Sequence, residues 1–263
     1  MQALLAELEH LEQQGVFAKQ KLEAVFFGGG TPSVLSPQQI NAILQKIHSV
    51  AKLTEDCELT FESSIYDLDA DKLNACLDGG INRFSFGVQS FDTQLRRSLG
   101  RLNTKEEVTA KLEEVAAKDV KVIIDLIYGL NGQTTELLLE DIRTALASGV
   151  SGMDLYKLQI MPKSPLGQAI AKGNVSYAYN DRMLAEMFIA ADTLLAEQGA
   201  RALSCCHWAM REDERSHYNT LVKSGANVIA CGTACGGHLG LYKYMKTMDR
   251  ADYVKKSHAG QYA

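Results

Sequence analysis

The 263-residue sequence predicts an α/β fold built on a parallel β-sheet. Two observations lead to this prediction: strand-length apolar runs alternate with helix-length amphipathic segments, and the connections between them are short. Repeated strand–helix–strand units place their strands parallel, because each helix crosses back over the sheet. The periodicity alone leaves an open doubly wound sheet and a closed barrel as alternatives.

The predicted strands share apolar, β-branched or aromatic residues over strand length. They lie at 22–28, 57–62, 81–87, 120–129 and 152–158. The helices between them have apolar residues spaced at about 3.6 positions and begin at capping side chains. These helices lie at 37–50, 69–78, 104–118 and 134–148, with candidate caps at Ser36, at Asn103 or Thr104 with Glu107, and at Thr134 or Thr135.

The two ends of the chain depart from this repeat. An N-terminal helix with leucines at 4, 5, 8 and 11 precedes the first predicted strand. Because such a helix normally follows an earlier strand, we expect the first strand of the fold to be missing. After residue 160 we expect a long helix at 180–199, a sixth strand at 200–205, a helix near 212–224 and no obvious closing element in the tail. We therefore predict two domains, 1–160 and 161–263.

Composition narrows the possible functions. The formal net charge of −5, with 22% charged residues, gives no basic surface for nucleic acid. No apolar run reaches the roughly 20 residues of a membrane span, and the acidic N-terminus is unlike a signal peptide. The six cysteines are therefore predicted to be reduced thiols in a cytoplasmic protein. They are Cys57, Cys76, Cys205, Cys206, Cys231 and Cys235.

Polar and glycine residues follow the apolar body of the predicted strands. Examples are Gly28-Gly29-Gly30-Thr31, Glu62, Gln89, Asp125 and Tyr156. In parallel α/β folds the carboxyl ends of the strands share one rim, where ligands bind. Glycines there allow a ligand to approach the backbone closely. A ligand site at this rim is therefore predicted, although Asp125 alone could equally be a buried carboxylate that caps a loop.

The segment FFGGGTPS at 26–33 resembles the GGGTP motif that binds S-adenosylmethionine (SAM) in radical SAM enzymes related to oxygen-independent coproporphyrinogen dehydrogenase. Four further motifs follow in the order of that family: LTFE at 59–62, RFSFGVQSF at 83–91, LGR at 99–101 and IDLIYGLNGQT at 124–134. The resemblance covers roughly residues 1–160. It implies an incomplete parallel (β/α) barrel of the radical SAM type, followed by a C-terminal α+β extension.

The resemblance also implies a set of SAM contacts. It assigns the glycine turn, Gly28, Gly29, Gly30 and Thr31, to SAM, with the last three holding the methionyl part. It assigns Glu62, Gln89, Arg101, Asp125 and Ile127 to the methionine, ribose and adenine portions. Such a set matches the chemistry of SAM, whose ammonium, carboxylate and ribose diol need carboxylates, an arginine and backbone groups beside an apolar wall. For Arg101 alone, the alternative is a solvated surface arginine.

The family holds a [4Fe–4S] cluster with a CxxxCxxC loop upstream of GGGTP, and here the sequence departs from it. No residue before Gly28 is a cysteine, and Cys231 and Cys235 have CxxxC spacing without a third cysteine. Because a cluster needs its thiolates together, we expect it only in a full-length form. This chain is then either truncated or a degenerate paralogue, and it is expected to be inactive alone.

The block at 205–237 resembles the haem-utilisation radical SAM methyltransferases. That resemblance implies anaerobic haem degradation with methyl transfer, ring opening and iron release, and an electron donor such as a flavodoxin or ferredoxin. Two alternatives stay open: oxidative decarboxylation of coproporphyrinogen, and a non-catalytic haem chaperone on the same scaffold.

Several side chains are candidates for contact with haem or a related tetrapyrrole. His207 and Trp208 are the preferred pair, because they follow a predicted strand. For any single histidine the alternative is a hydrogen-bonded core or surface side chain. Weaker candidates are His217 and His238 for the iron and Lys163, Arg211 and Arg215 for the propionates.

Overall fold

The structure is a computed structural model that describes residues 1–18 and 20–261. Most of the helices begin at a side-chain cap that accepts a backbone N–H of the first turn. The helices of this part of the chain are α1 (Gln2–Gln13), α2 (Pro37–Val50), α3 (Ala70–Asp78), α4 (Thr93–Ser98), α5 (Lys105–Ala116), α6 (Thr135–Ala147), α7 (Pro165–Ala171), α8 (Asp181–Glu197), α9 (His217–Lys223) and α10 (Arg250–His258). None of these described helices has the length and apolarity that crossing a membrane requires.

Seven strands form one sheet in the order β1-β2-β3-β4-β5-β7-β6. They are β1 (Leu22–Phe27), β2 (Leu53–Ser63), β3 (Arg83–Gln89), β4 (Lys121–Tyr128), β5 (Gly152–Lys157), β6 (Arg201–Ala202) and β7 (His207–Ala209). Strands β1 and β2 are parallel, as are β4 and β5, whereas β7 is antiparallel to both β5 and β6. The predicted α/β fold with a mostly parallel sheet is confirmed, and an antiparallel edge follows residue 200.

Two compact units make up the chain: Met1–Phe84 with Ser216–Ala263, called here the first unit, and Ser85–Arg215, the second unit. The first unit contains both ends of the chain. The predicted domains, 1–160 and 161–263, were defined as continuous segments of the sequence. The two units do not test that division, and it stays a prediction.

In the first unit, helix α1 packs on α2. Leu8 of α1 and Ile43 and Ile47 of α2 form a buried apolar cluster. Helix α2 begins with a capping box, in which Ser36 Oγ accepts from the Gln39 N–H and Gln39 Oε1 accepts from the Ser36 N–H. The predicted bounds of this helix, 37–50, are those of the structure.

The tail of the chain also belongs to the first unit, and the expectation that it has no closing element is wrong. Strands β8 (Gly236–Leu239) and β9 (Tyr242–Met245) form an antiparallel hairpin. Helix α10 then packs on α1, where the Tyr253 hydroxyl donates to Glu7 Oε2 at 2.6 Å. A glycine-rich hairpin and a short, strongly polar helix have little periodic signal, so the sequence pattern did not predict them.

The second unit centres on β4, against which α5, α6 and α8 pack. Thr104 and Glu107 form the expected capping box of α5, and Thr134 caps α6. The predicted sixth strand at 200–205 is shorter in the structure, since only Arg201 and Ala202 are extended. The predicted helix near 212–224 is also shorter in the structure. It corresponds to α9, which belongs to the first unit.

Candidate functional site

The glycine turn after β1 has a different constraint at each glycine. A Cβ on Gly28 would lie 2.5 Å from the Phe26 ring and 3.0 Å from the Glu62 carboxyl carbon, so packing requires glycine there. Gly29 has φ +100°, a conformation that favours glycine. A Cβ on Gly30 would meet no atom within 4 Å. The space beside Gly30 is therefore open to a ligand.

The segment after the turn is anchored to the first unit. Thr31 is exposed and precedes a 3-10 turn at Pro32–Val34, and Ser33 is buried. The Ser33 hydroxyl accepts the Ser64 N–H at 3.3 Å, and the Ser33 carbonyl accepts from Lys72 Nζ at 2.9 Å. These bonds hold the turn in place relative to the end of β2.

The carboxylate of Glu62, at the end of β2, lies against this turn. Its Oε2 accepts a hydrogen bond from the Gly29 N–H at 3.2 Å. Burial raises the pKa of Glu62, and the hydrogen bond from Gly29 opposes that rise. The structure thus brings together four of the predicted site residues of the first unit, Gly28, Gly29, Gly30 and Glu62.

In the second unit, Gln89 and Arg101 lie over the backbone of Gly87. A Cβ on Gly87 would be 2.7 Å from Gln89 Nε2 and 3.5 Å from Arg101 Nη2, so this glycine leaves room for both groups. Gln89 itself has φ +71°, which is uncommon for a residue with a side chain and often marks a functional position.

Arg101 is also electrostatically coupled to Asp125. Burial lowers the pKa of the Arg101 guanidinium, and the negative charge of Asp125 opposes this effect. Asp125 and Ile127 are two residues apart on β4, so their side chains share one face of the sheet. Gln89, Arg101, Asp125 and Ile127 thus all lie within the second unit, and their contact with SAM stays a prediction.

Two buried residues that sequence reasoning missed support this group. Arg96 donates from Nη1 to the carbonyls of Val88 and Ser90, and from Nε to the carbonyl of Asn103, all at 2.8–3.0 Å. Asp141 accepts from the Ser90 hydroxyl and the Phe91 N–H, both at 2.7 Å. Burial raises the pKa of Asp141 to about 6. Charged side chains are ordinarily exposed, and no motif in the sequence indicated that Arg96 and Asp141 are buried.

His207 and Trp208 lie in β7 and are buried. His207 Nδ1 is 3.1 Å from Asp154 Oδ1, and Nε2 is 3.3 Å from Glu214 Oε1. Burial alone lowers the pKa of His207, but the two carboxylates outweigh it and raise the pKa to about 9. The Trp208 indole N–H donates to Asp192 Oδ1 at 3.1 Å. The ion-pair contacts of His207 and the hydrogen bond of Trp208 favour the alternative of core side chains, and substrate contact by either residue stays a prediction.

The weaker candidates occupy different surroundings. Arg211 forms a bidentate pair with Asp213 at 2.9 and 3.0 Å, so its guanidinium is already engaged by a carboxylate. The His217 backbone N–H donates to Glu58 Oε2 at 3.2 Å. His238 is half-buried in β8.

A cavity of about 440 Å³ opens in the second unit beside α8. Its lining includes Tyr128 and Lys157. Tyr128 is an odd number of positions from Asp125 and Ile127 on β4 and therefore lies on the opposite sheet face, and Lys157 shares that face because it is directly opposite Tyr128 on β5. Lys157 pairs with Asp181 at 3.7 Å at its edge. The predicted SAM residues of β4 do not line this cavity.

The thiols do not form a cluster site in the part of the chain that is described. All six cysteines are free, and residues 1–18 and 20–261 contain no group of three or more His, Cys, Asp or Glu side chains that could hold a metal ion. Burial raises the pKa of Cys231 to about 12, which disfavours the thiolate that iron binding requires. The described residues therefore do not fit a [4Fe–4S] cluster.

Comparison with known proteins identifies the class to which this fold belongs. Residues 4–145 match the radical SAM superfamily, so the chain belongs to that superfamily. The family implies SAM and a [4Fe–4S] cluster as cofactors.

Two relatives of known function are similar to most of this chain. The chain is 32% identical to anaerobilin synthase of Escherichia coli O157:H7, over 98% of this chain and 58% of that protein. It is 30% identical to the heme chaperone HemW of Bacillus subtilis (strain 168), over 83% of this chain and 58% of that protein. The chain thus spans somewhat more than half the length of these relatives.

Among solved structures, coproporphyrinogen III oxidase (HemN) from Escherichia coli, a radical SAM enzyme, superposes with a TM-score of 0.84 at 21% identity. The match covers 99% of this chain and 62% of that one. At this identity the match is evidence for the fold, and it confirms the predicted fold type.

Proposed function

We propose that this chain belongs to a SAM-dependent radical enzyme that degrades haem by methyl transfer and ring opening and releases iron under anaerobic conditions. The observation that carries the proposal is the similarity to anaerobilin synthase along almost the whole chain. Because the chain spans 58% of that relative, the activity is proposed for a full-length form. A [4Fe–4S] cluster is proposed in that form only, and an electron donor such as a flavodoxin or ferredoxin would serve it.

The first unit fits the methionyl part of SAM. In this proposal the ligand approaches the open side of Gly30, beside Gly29 and Thr31, and the Glu62 carboxylate receives its ammonium group. A half-buried carboxylate that already faces a backbone N–H is held in position before the ligand arrives. When bound, SAM supplies the sulfonium centre from which the radical and the transferred methyl group derive.

Four residues of the second unit, considered by themselves, are also proposed as SAM contacts. We assign the Arg101 guanidinium to the methionine carboxylate, the Gln89 amide and the Asp125 carboxylate to the ribose hydroxyls, and Ile127 to the adenine ring. Arginine binds a carboxylate with two parallel hydrogen bonds, and an apolar side chain suits an aromatic base. The negative charge of Asp125 favours the charged form of the Arg101 guanidinium, which burial disfavours.

The tetrapyrrole is proposed as the partner of the C-terminal part of the chain, with no role for nucleic acid. A second candidate, a haem chaperone that releases haem unchanged, is favoured by the similarity to HemW. Oxidative decarboxylation of coproporphyrinogen is the third, since HemN shares the fold. All six thiols are free, which supports the proposed cytoplasmic location.

Mass analysis of the tetrapyrrole separates these functions. A full-length form that carries the cluster cysteines, reduced anaerobically with SAM and haem, is expected to bleach the haem spectrum and yield a methylated linear tetrapyrrole. Intact haem that remains bound would support the chaperone and refute ring opening. Loss of carboxyl groups from coproporphyrinogen, with haem unchanged, would refute haem as the substrate.

A further inference from the structure

One wall of the cavity beside α8 comes from the ends of β4 and β5 in the second unit. Tyr128 is directly opposite Lys157 in the register of these two parallel strands, and both side chains line the cavity. Neighbouring strands of a sheet lie about 4.8 Å apart. The sheet therefore presents a phenol and an ammonium group to the cavity from adjacent positions.

The other wall of the cavity is one face of α8. Four residues of this helix line the cavity, and their spacing places them on one side of a helix: Asp181, Leu184, Ala185 and Phe188. Leu184 is buried and Phe188 is half-buried, so this wall is largely apolar beyond Asp181. The volume of about 440 Å³ lies in the range of small-molecule sites.

Two aromatic rings connect these walls. The ring centroids of Tyr128 and Phe188 are 5.9 Å apart, with the rings tilted by 41°. Aromatic side chains attract flat rings through offset and edge-to-face contacts, so the apolar part of a ligand here is expected to be aromatic. The Phe188 centroid is also 5.9 Å from that of Trp208, the single tryptophan of the sequence. Trp208 therefore lies one ring away from the cavity.

The polar groups at the cavity are weakly engaged within the protein. Lys157 Nζ is 3.7 Å from Asp181 Oδ1, and these side chains are 43% and 97% exposed. An ion pair as open and as long as this one contributes little to stability. Within residues 1–18 and 20–261, no group hydrogen-bonds to the Tyr128 hydroxyl, and burial raises the pKa of Tyr128, so the hydroxyl keeps its proton at neutral pH. Lys157 and Tyr128 can therefore both donate to a ligand.

We propose that this cavity binds a small aromatic carboxylate, with its ring against Tyr128 and Phe188 and its carboxylate on Lys157 and the Tyr128 hydroxyl. The ligand then replaces Asp181 as the partner of Lys157, and the Asp181 carboxylate, already 97% exposed, moves fully into water. One ammonium group and one hydroxyl match a singly charged carboxylate, whereas a phosphate offers more charge and more acceptor oxygens than they can satisfy.

This site is separate from the proposed SAM contacts. Tyr128 and Lys157 lie on the opposite face of the sheet from Asp125 and Ile127. The inference therefore goes beyond the proposed function and does not depend on it.

A titration with dansylglycine, an aromatic carboxylate, tests the inference with the 263-residue chain. Dansylamide, which has the same ring system without the carboxylate, is the matched uncharged ligand. The wild-type chain is expected to bind dansylglycine about tenfold more tightly than dansylamide. Excitation of Trp208 should produce dansyl emission by energy transfer, because Phe188 both contacts Trp208 and lines the cavity.

Three variants are expected to change dansylglycine binding in different directions. Lys157→Gln should weaken it about tenfold, because the carboxylate loses its cation. Asp181→Asn should strengthen it about two- to fivefold, because the competing carboxylate is removed. Ala185→Leu places a larger side chain of good helix propensity in the cavity and should weaken both ligands about tenfold or more. The controls Lys172→Gln and Ala196→Leu alter an exposed lysine outside the cavity and an exposed alanine about three turns further along α8, and both should bind as wild type.

Four results would overturn the inference. Equal affinity of the wild-type chain for dansylglycine and dansylamide, or no binding of either, would show that the cavity does not recognise a carboxylate. Weaker binding in Asp181→Asn together with undiminished binding in Lys157→Gln would contradict the assigned cation. Wild-type affinity in a folded Ala185→Leu protein would place the probe elsewhere, and displacement of the probe by SAM would place it among the proposed SAM contacts.

The proposed function is tested separately by SAM binding and by turnover of the full-length form. Failure of SAM to bind would count against the proposed SAM contacts and leave the aromatic carboxylate site standing. Conversely, haem turnover by a form that does not bind dansylglycine would retain the function and overturn this inference.

Discussion

The carboxylate of Glu7 lies 2.8 Å from the Lys246 ammonium nitrogen, and both side chains are almost fully buried in the first unit. The other carboxylate oxygen of Glu7 accepts the Gly232 N–H at 2.9 Å and the Tyr253 hydroxyl at 2.6 Å. The Glu7 side chain of α1 thus contacts three parts of the C-terminal segment: the loop at Gly232, Lys246 just after β9, and Tyr253 of α10. These contacts explain how the two ends of the sequence fold as one unit.

Lys246→Met is expected to destabilise the fold by about 3 kcal/mol, because it leaves the Glu7 charge buried without its cation. The free energy of unfolding from urea titration measures this loss. The double variant Glu7→Gln with Lys246→Met should recover part of it. Lys46→Ala is the control, since Lys46 and Glu9 are 3.9 Å apart and partly exposed, and it should cost less than about 1 kcal/mol. Equal costs for the two lysines would contradict the prediction.

The glycine turn predicts opposite results for two alanine substitutions. Gly28→Ala should destabilise the chain by about 1–3 kcal/mol, because its Cβ would collide with the Phe26 ring. Gly30→Ala should change stability by less than about 0.5 kcal/mol, since its Cβ meets nothing within 4 Å.

Isothermal titration with SAM completes this comparison. If SAM occupies the open side of Gly30, Gly30→Ala should weaken SAM binding by about tenfold. The variant should keep its wild-type unfolding curve, so that the loss reports on the site and not on the fold. Undiminished SAM affinity in Gly30→Ala would remove the glycine turn from the proposed site.

Local signals in the sequence predicted much of the fold. Ser36, Thr104 and Thr134 each accept a backbone N–H at the start of a helix, as their side-chain chemistry predicts. The apolar strand bodies likewise placed β1 and β4 within one or two residues. Non-local contacts account for what was missed: α10 is held by Glu7 and by the Ala3 carbonyl, some 250 positions earlier.

The candidate site was predictable only in part, for the same reason. Motif order indicated the glycine turn, Glu62 and Asp125. The left-handed backbone of Gln89 and the burial of Arg96 depend on the packing of separate segments, and a charged residue ordinarily predicts exposure. The two carboxylates that flank His207 come from positions 154 and 214, so no local pattern could have indicated them.

Arg96 is expected to position Arg101 without touching the ligand itself. Its three hydrogen bonds link β3 to the Asn103 carbonyl, and the Arg96 carbonyl accepts the Arg101 N–H at 2.9 Å. Arg96→Lys keeps the charge but cannot make the same forked contacts, so it should destabilise the chain by about 2–3 kcal/mol and weaken SAM binding. Arg97→Lys, next to it and exposed, is the control. Wild-type SAM affinity in a folded Arg96→Lys protein would contradict the positioning role.

His207 predicts a specific dependence of stability on pH. Its pKa rises from 6.5 to about 9 in the folded chain, so the folded state holds the proton more tightly. The resulting stabilisation is complete below about pH 6.5, declines as the pH rises towards 9 and is lost above it. A shift of this size corresponds to a contribution on the order of 3 kcal/mol.

His207→Gln removes this titration together with the two ion pairs that the imidazole makes with Asp154 and Glu214. Wild type should therefore exceed the variant in free energy of unfolding most strongly at about pH 6, with the difference narrowing by about pH 10. Urea titrations at the two pH values measure it, and His258→Gln, an exposed histidine on α10, should show no such change. A constant difference between wild type and His207→Gln would mean that the imidazole is neutral in the fold. In that case one of the carboxylates, and not His207, would carry the proton.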